Sequence, residues 1–475
     1  MEFDLNKRHC YYFNEIAKIP HGSFNEQAIS DYLVTFAKDN GLAYKQDDKF
    51  NVIIDKPASP GYEDSEPVIL QAHIDMVCEK NKDVEHDFTK DPLDLYVEDG
   101  WLKARGTTLG ADDGYGVSYM LAILENKDLK HPPLSCIFTS MEEVGLLGAA
   151  NLQAEDMHGR RLINLDGGGE VRTTVSSAGG ATGLSHCPIR FEASTKPAYA
   201  LRVRGLKGGH SGALIHMELG NSNTLLARIL KELQLQGLDV QLSSFNGGLK
   251  FNAIPREADA VFVSAADPEK LQAAIRCSEA NIREELEFSD PGFSVIFEPA
   301  DAEKAIVQKD SDAFLNYMYL MINGFQHRSV AIEGLTAASL NAGVVTTKED
   351  EILIEDLIRS ALKTHTDDMI SHLKVLAGLC GVTVEIRDRF PGWGFKADSP
   401  LRNTLREVLK ERGIELKEEA SHGGLECSMF KGLVEDMDII TYGPVSQGAH
   451  TPGEKLDLAS FDRAFDVLCE VLARC

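Results

Sequence analysis

The feature that most constrains this chain is a set of short apolar runs, each ending near an acid or a histidine and each separated from the next by a helical pattern. Residues 68–73 (VILQAH), 135–139 (SCIFT) and 162–165 (LINL) are too short for buried helices and read as buried strands. Around them, residues 25–41 put Ile29, Leu33 and Phe36 on one helical face, and 115–125 (YGVSYMLAILE) reads as a helix starting after Gly114. This alternation predicts an α/β fold, a central mixed sheet flanked by helices. In open sheets of that kind, ligands gather at the carboxyl ends of the strands.

Around residue 185 the pattern changes. Residues 199–205 (YALRVRG) alternate like a half-exposed strand, followed by a helical stretch at 223–235, a strand at 258–263 and a helix at 268–287. A similar cycle recurs from about 327 to 388, and an internal duplication is one reading of it. PGWG at 391–394 breaks the pattern, and the tail reads like the first segment again, with a helix at 401–412, the loop SHGGLE, a strand at 438–442 and a helix at 460–473. The expectation is one α/β domain in two segments, 1–186 and 391–475, interrupted by an inserted α+β domain over 187–390, a normal domain size.

Composition narrows the partners. With 48 Lys+Arg against 74 Asp+Glu the formal net charge is −26, which repels phosphate backbones and anionic membrane surfaces. Nucleic acid and membrane are therefore excluded as expected partners. The opening residues MEFDLNKRHC have neither an apolar core nor a small-residue cleavage site, so no secretory signal is expected there. The nine cysteines are scattered with no CxxC pair, which argues against a thiolate zinc site or a disulfide framework and for a reducing cytoplasm.

Five segments carry acids and histidines where strands should end. In QAHIDM, His73 and Asp75 are two apart and project to the same side of extended backbone. GTTLGADDG carries Asp112 and Asp113 ahead of a helix; MEEVG carries Glu142 and Glu143 after a strand; NLDGGG carries Asp166. GPVSQGAHTPGE places His450 in a Gly/Pro-rich loop. Singly, each has an ordinary structural reading: a hydrogen-bonded His, a helix cap at Asp113, a solvated loop. Jointly they supply two imidazoles and several carboxylates. That donor set suits a pair of divalent ions, with one carboxylate ligating, another bridging and another acting as general base.

In this order the motifs resemble the co-catalytic zinc peptidases of the aminoacylase and glutamate carboxypeptidase type. GTTLGADDG, GLKGGHSG, FNAIPREA, SLNAGVV, IRS and SHGGLEC are similar in particular to those of the aminoacyl-histidine dipeptidases, over nearly the whole chain. The resemblance implies a zinc-exopeptidase-like catalytic domain with the insert as its lid. It implies that His73 and Asp166 hold one zinc, Glu143 and His450 the other, and that Asp112 bridges them through an Asp112–Asp113 peptide in the cis form. Cobalt or manganese would be substitutes. Asp75 would support His73, and Glu142 would be the general base. In the lid, His210 would face the developing oxyanion, while Asn252, Arg359, Gly423 and Gly424 would contact substrate, Arg359 taking its carboxylate.

The implied activity is hydrolysis of dipeptides with C-terminal histidine, β-alanyl-histidine included. The alternative is a broader dipeptidase or tripeptidase, or an N-acyl amino acid amidohydrolase, on the same scaffold. The resemblance allows a homodimer, and equally a lid long enough to complete the site within one chain.

Overall fold

The computed structural model describes residues 3–475. They form two compact units, one running up to Ser176 and including Trp393–Ala420 and Leu425–Cys475, the other Ser177–Gly392 and Ser421–Gly424. The insert thus begins at Ser177 rather than at 187, because Gly179–Pro188 is a strand of the second unit's sheet. Residues 421–424 also belong to that second unit.

The first unit is built on a six-stranded sheet in the spatial order Ala43–Gln46, Val52–Lys56, Leu134–Thr139, Val68–His73, Arg161–Asn164, Asp438–Thr441. The last four run parallel and the first two are antiparallel, so the sheet is mixed. Val68–His73 and Leu134–Thr139 are buried at every position, as parallel strands covered on both faces must be. On one face, Leu70, Phe138 and Ile163 join a core with the helices Ala111–Glu125, Pro400–Glu411 and Leu458–Arg474. On the other, Ile69, Ile137 and Leu162 pack with Cys427 and Phe430 of Glu426–Leu433. Ala111–Glu125 is buried continuously from Asp113 to Leu124, which explains why its sequence is apolar all round. Its regular part starts after Asp113, since Asp112 and Asp113 have non-helical dihedrals. The parallel strands all present their carboxyl ends at one edge.

The second unit contains an eight-strand path in the order Ser294–Ala300, Ala198–Arg204, Ala258–Val263, Gln241–Gly247, Thr336–Thr347, Glu351–Ser360, Gly179–Pro188, Thr383–Phe390, with Gly324–Arg328 added on Thr336–Thr347. Each half is the same motif. Ala198–Arg204, helix Ser222–Leu235, Gln241–Gly247, Ala258–Val263, helix Pro268–Glu285 and Ser294–Ala300 make one β-α-β-β-α-β module. Gly179–Pro188, helix Gln308–Leu320, Thr336–Thr347, Glu351–Ser360, helix Lys363–Cys380 and Thr383–Phe390 make the other, with the same internal strand order reversed in space. The modules join at Gly247 against Val345. The recurrence visible from 327 to 388 is therefore a structural repeat, completed by a strand that precedes the first module. Leu226, Leu230, Leu271, Ile275, Phe314, Met318, Met369 and Leu373 of the four helices share one core with the sheet.

Candidate active site

The edge of the first unit's sheet gathers the acids and histidines flagged in the sequence. His73 ends its strand, fully buried; its Nδ1 donates to the backbone carbonyl of Asp75 at 3.0 Å, and its Nε2 stands 3.0 Å from Asp112 Oδ1. Asp75 accepts from the backbone N–H of Glu142 at 2.9 Å, from that of Glu143 at 3.3 Å, and from Ser23 Oγ at 2.8 Å. The Asp75 carboxylate therefore fixes the start of the MEE loop while its Oδ1 stands 3.5 Å from His73 Nδ1. Met141, which opens that loop, sits at φ 49° and His450 at φ 64°, left-handed conformations that non-glycine residues adopt only where surroundings enforce them. The Asp112–Asp113 peptide is cis.

Two donor groups result. His73, Asp112 and Asp166 form one, and Asp112, Glu143 and His450 the other; within each, one donor atom per residue lies within 4.8 Å of the others. His450 Nε2 is 2.8 Å from Glu143 Oε1 and 3.4 Å from Asp112 Oδ2. Asp112 is common to both groups, each of which offers one imidazole and two carboxylates, a donor set suited to borderline divalent ions. Glu142 lies beside His73 and Glu143. Asp113 takes the capping role, its Oδ1 accepting from the backbone N–H of Gly116 at 3.2 Å.

The electrostatics of this packing also fit cation binding. Burial and the Asp112 charge push Glu143 up to about 7, and burial first, then Asp112, pushes Glu142 and Asp166 up as well. Asp112 goes the other way: burial raises it, but hydrogen bonds from His450 and His73 outweigh that and hold it low. His450, bonded to Asp112 against the cost of burial, is raised to about 9. Without metal, the imidazoles act as the counter-charges, and the surplus carboxylates are held as acids. Divalent cations would ionise them together.

Glu454 has a further role in this loop, one that its place in the HTPGE motif did not disclose. Its buried carboxylate accepts four backbone N–H groups, Leu109 at 2.7 Å, Gly110 at 3.0 Å, Ala111 at 2.9 Å and Asp112 at 3.3 Å. These orphan donors precede a helix, where an anion is favoured. The signal for it was an acid beside a Gly/Pro turn, but its partners lie over 300 positions earlier in the sequence.

The second unit holds the remaining expected residues. His210 pairs with Ala253 in a two-stranded ladder, which sets it beside Asn252, whose carbonyl accepts from Ser211 N at 3.0 Å. His210 Nδ1 accepts from the backbone N–H of Ala213 at 3.1 Å, so the neutral ring carries its proton on Nε2. Burial and the nearby Arg359 both lower its pKa. Arg359 is buried at 8% exposure on Glu351–Ser360, with no carboxylate partner among the described residues and its Nε without a hydrogen bond. His422 bonds Ser339 Oγ at 2.7 Å and is held near 4 by burial and Arg359. Gly424 packs loosely on Phe390, but Gly423, expected to offer its N–H to a substrate carboxylate, donates it to Ser421 Oγ at 3.0 Å.

A sheet edge with two imidazole–carboxylate groups sharing one acid defines a hydrolase of the metallopeptidase class. The sequence profile described as Peptidase family M20/M25/M40 matches residues 69–474, and the chain belongs to that family, so it is a peptidase. It is 37% identical over 469 residues to the cytosol non-specific dipeptidase of Escherichia coli (strain K12), covering 97% of this chain and 96% of the relative. The crystal structure of aminoacylhistidine dipeptidase from Vibrio alginolyticus superposes with a TM-score of 0.93 at 35% identity, covering 98% of this chain and 96% of that one. Aminopeptidase PepT from Bacillus cereus shares the fold at a TM-score of 0.57 and 15% identity, with 99% of each chain covered. No described helix is long and apolar enough to cross a membrane.

Proposed function

We propose that the chain is a two-zinc dipeptidase that releases C-terminal histidine from Xaa-His dipeptides in the cytoplasm. His73 and Asp166 would hold one ion, Glu143 and His450 the other, and Asp112 would bridge them. The observation that carries the reading is Asp112, whose two oxygens face the two imidazoles, Oδ1 toward His73 and Oδ2 toward His450. The ions would supply Lewis acidity toward the peptide carbonyl and toward water.

The chain's own groups do the rest. Glu142 takes the proton from the attacking water and returns it to the leaving amine, a role suited to a carboxyl raised by burial. Asp75 orients His73 and, through the Glu142 N–H, the base itself. His210, neutral with its proton on Nε2, donates to the developing oxyanion. Arg359 takes the substrate carboxylate, the partner that its buried guanidinium lacks. Asn252 orients the peptide from its place next to that ladder, where its carbonyl accepts from Ser211 N.

Histidine preference is supported by the motif set and by the name of the Vibrio relative. The name of the Escherichia coli relative favours a second reading, a dipeptidase of broad specificity. Metal analysis of the purified protein, with rates for β-alanyl-histidine, alanyl-histidine, alanyl-leucine and an N-acetyl amino acid, decides between them. Equal rates on non-histidine dipeptides would remove the histidine preference. Full activity after exhaustive chelation would remove the metal centre.

A further inference from the structure

The motif SHGGLEC contains one acid with no part in the foregoing chemistry. Glu426 opens the helix Glu426–Leu433 and is 1% exposed. Its Oε2 accepts from Gln71 Nε2 at 2.6 Å and from Thr139 Oγ1 at 2.9 Å, while its Oε1 has no hydrogen-bond partner among the described residues. Gln71 Oε1 in turn accepts from Asn164 Nδ2 at 2.6 Å. Gln71, Thr139 and Asn164 are all at most 2% exposed.

These three residues lie on three neighbouring parallel strands. Gln71 is paired with Asn164, and Thr139 with His73. Side chains two apart on a strand share a face, so each polar residue follows an apolar one on the same face: Ile69 then Gln71, Ile137 then Thr139, Leu162 then Asn164. The apolar row packs with Cys427 and Phe430 on the helix that Glu426 opens. The polar row is the last layer before the ligands. His73 follows Gln71 by two residues, Asp166 follows Asn164 by two, and Glu142 and Glu143 follow Thr139 directly after Ser140 and Met141.

A buried carboxyl with one oxygen unpaired is a poor way to fill a core. An apolar side chain of similar volume there would cost less. Its position suggests what it does: one side chain bonds two of the strands that deliver ligands directly, and the third through Gln71. Resting on the metal-centre reading above, we propose that Glu426 is a positioning residue that fixes the relative register of these strand ends, and with it metal affinity and turnover. Burial pushes the Glu426 carboxyl up to about 8, so glutamine is its close isostere at neutral pH.

The test uses the full-length protein and three variants. Glu426→Met keeps the volume but leaves the Gln71 amide and the Thr139 hydroxyl without their acceptor. Glu426→Gln puts an amide oxygen at the Oε2 position and keeps both bonds. Thr139→Val removes, with little change of shape, the hydroxyl that donates to Glu426 and accepts from Gln71 Nε2 at 3.0 Å. Zinc affinity is read by competition with a chromophoric chelator, and kcat and KM on alanyl-histidine are measured separately. Residues that support metal ligands from behind typically contribute about 10- to 100-fold in affinity or activity. Glu426→Met should weaken zinc binding by that amount and lower kcat with KM little changed. Thr139→Val should lose less, and Glu426→Gln should stay within about threefold of wild type on the same scale.

Wild-type zinc affinity and kcat in Glu426→Met would overturn the proposal. So would a loss in Glu426→Gln as deep as that in Glu426→Met, since charge rather than placement would then be at work. If Glu426→Met does not fold, Glu426→Gln and Thr139→Val decide: Thr139→Val indistinguishable from wild type overturns the proposal. A wild-type protein that binds no metal would instead sink the metal-centre reading, a separate result.

Discussion

Replacing Glu454 with glutamine tests how the Asp112 loop is held. In the folded chain one carboxylate oxygen accepts from Leu109 and Gly110 and the other from Ala111 and Asp112. A glutamine oxygen can serve one pair; its NH₂ then meets the other pair donor to donor. Hydrogen bonds to a charged group are worth about 1.5–3 kcal/mol each, and a buried N–H left unpaired costs about 1–3 kcal/mol. The Asp112 contact, at 3.3 Å, is the weakest of the four. Counting one full loss and one weak one, Glu454→Gln should destabilise the first unit by about 3 kcal/mol. Both tryptophans, Trp101 and Trp393, belong to that unit. Tryptophan fluorescence in urea, on metal-free protein, therefore reports its unfolding directly. Because the loop carries the shared acid, kcat should also fall, by about tenfold or more for a comparable misplacement. A stability change under about 0.5 kcal/mol with unchanged kcat would refute the view that this carboxylate holds the loop.

Three further outcomes are expected. Glu142→Gln should lower kcat by about 10²–10⁴ while bound metal, measured by elemental analysis, stays at the wild-type level; near-native turnover would reassign the base. Arg359→Met should raise KM for free dipeptides by about 10- to 100-fold, the worth of a charge-assisted pair, and change nothing for C-terminally amidated ones; equal losses on both would detach Arg359 from the carboxylate. Glu143 is raised to about 7 and His450 to about 9 in the metal-free chain, so both bind more protons folded than unfolded across that range. Their contributions are present at low pH and are lost as pH rises, from the ordinary 4.5 to about 7 for Glu143 and from the ordinary 6.5 to about 9 for His450. The chelated protein should thus melt at lower temperature at pH 9 than at pH 6, with the gap closing on zinc addition. A chelated melting temperature that rises with pH would contradict it.

Much of the candidate site was legible because its acids and histidines sit at strand ends, where apolar patterning and acids adjoin. VILQAH, SCIFT and LINL each became a strand, and the acids after them met at one edge. Asp113 as a cap was equally readable from its place before a helix. What resisted reading depended on partners far along the chain. Gly179–Pro188 has few of the β-branched residues that mark strands, because its glycines make room for neighbours. A Cβ on Gly183 would stand 2.3 Å from the buried Asp356 carboxylate, and one on Gly179 would meet the backbone of Gly392. That is why the insert was expected ten residues late, at 187 instead of 177. The roles of Glu454 and Glu426 escaped reading for the same reason: their donors lie more than 280 positions away in sequence, so an acid beside a Gly/Pro turn or before a helix does not disclose what it binds. The occupied N–H of Gly423 follows from a serine two residues earlier, a turn that composition alone does not distinguish from a free one.

The repeated halves of the second unit have an evolutionary consequence. One half carries His210 and Asn252 and the other carries Arg359, although both are drawn on the same plan. Two identical subunits related by symmetry must accept every substitution twice. A chain that contains both halves can alter one alone. The two copies already differ: one carries an imidazole with an amide next to its strand pair, the other a lone guanidinium. Changes in one half can therefore accumulate without disturbing the other.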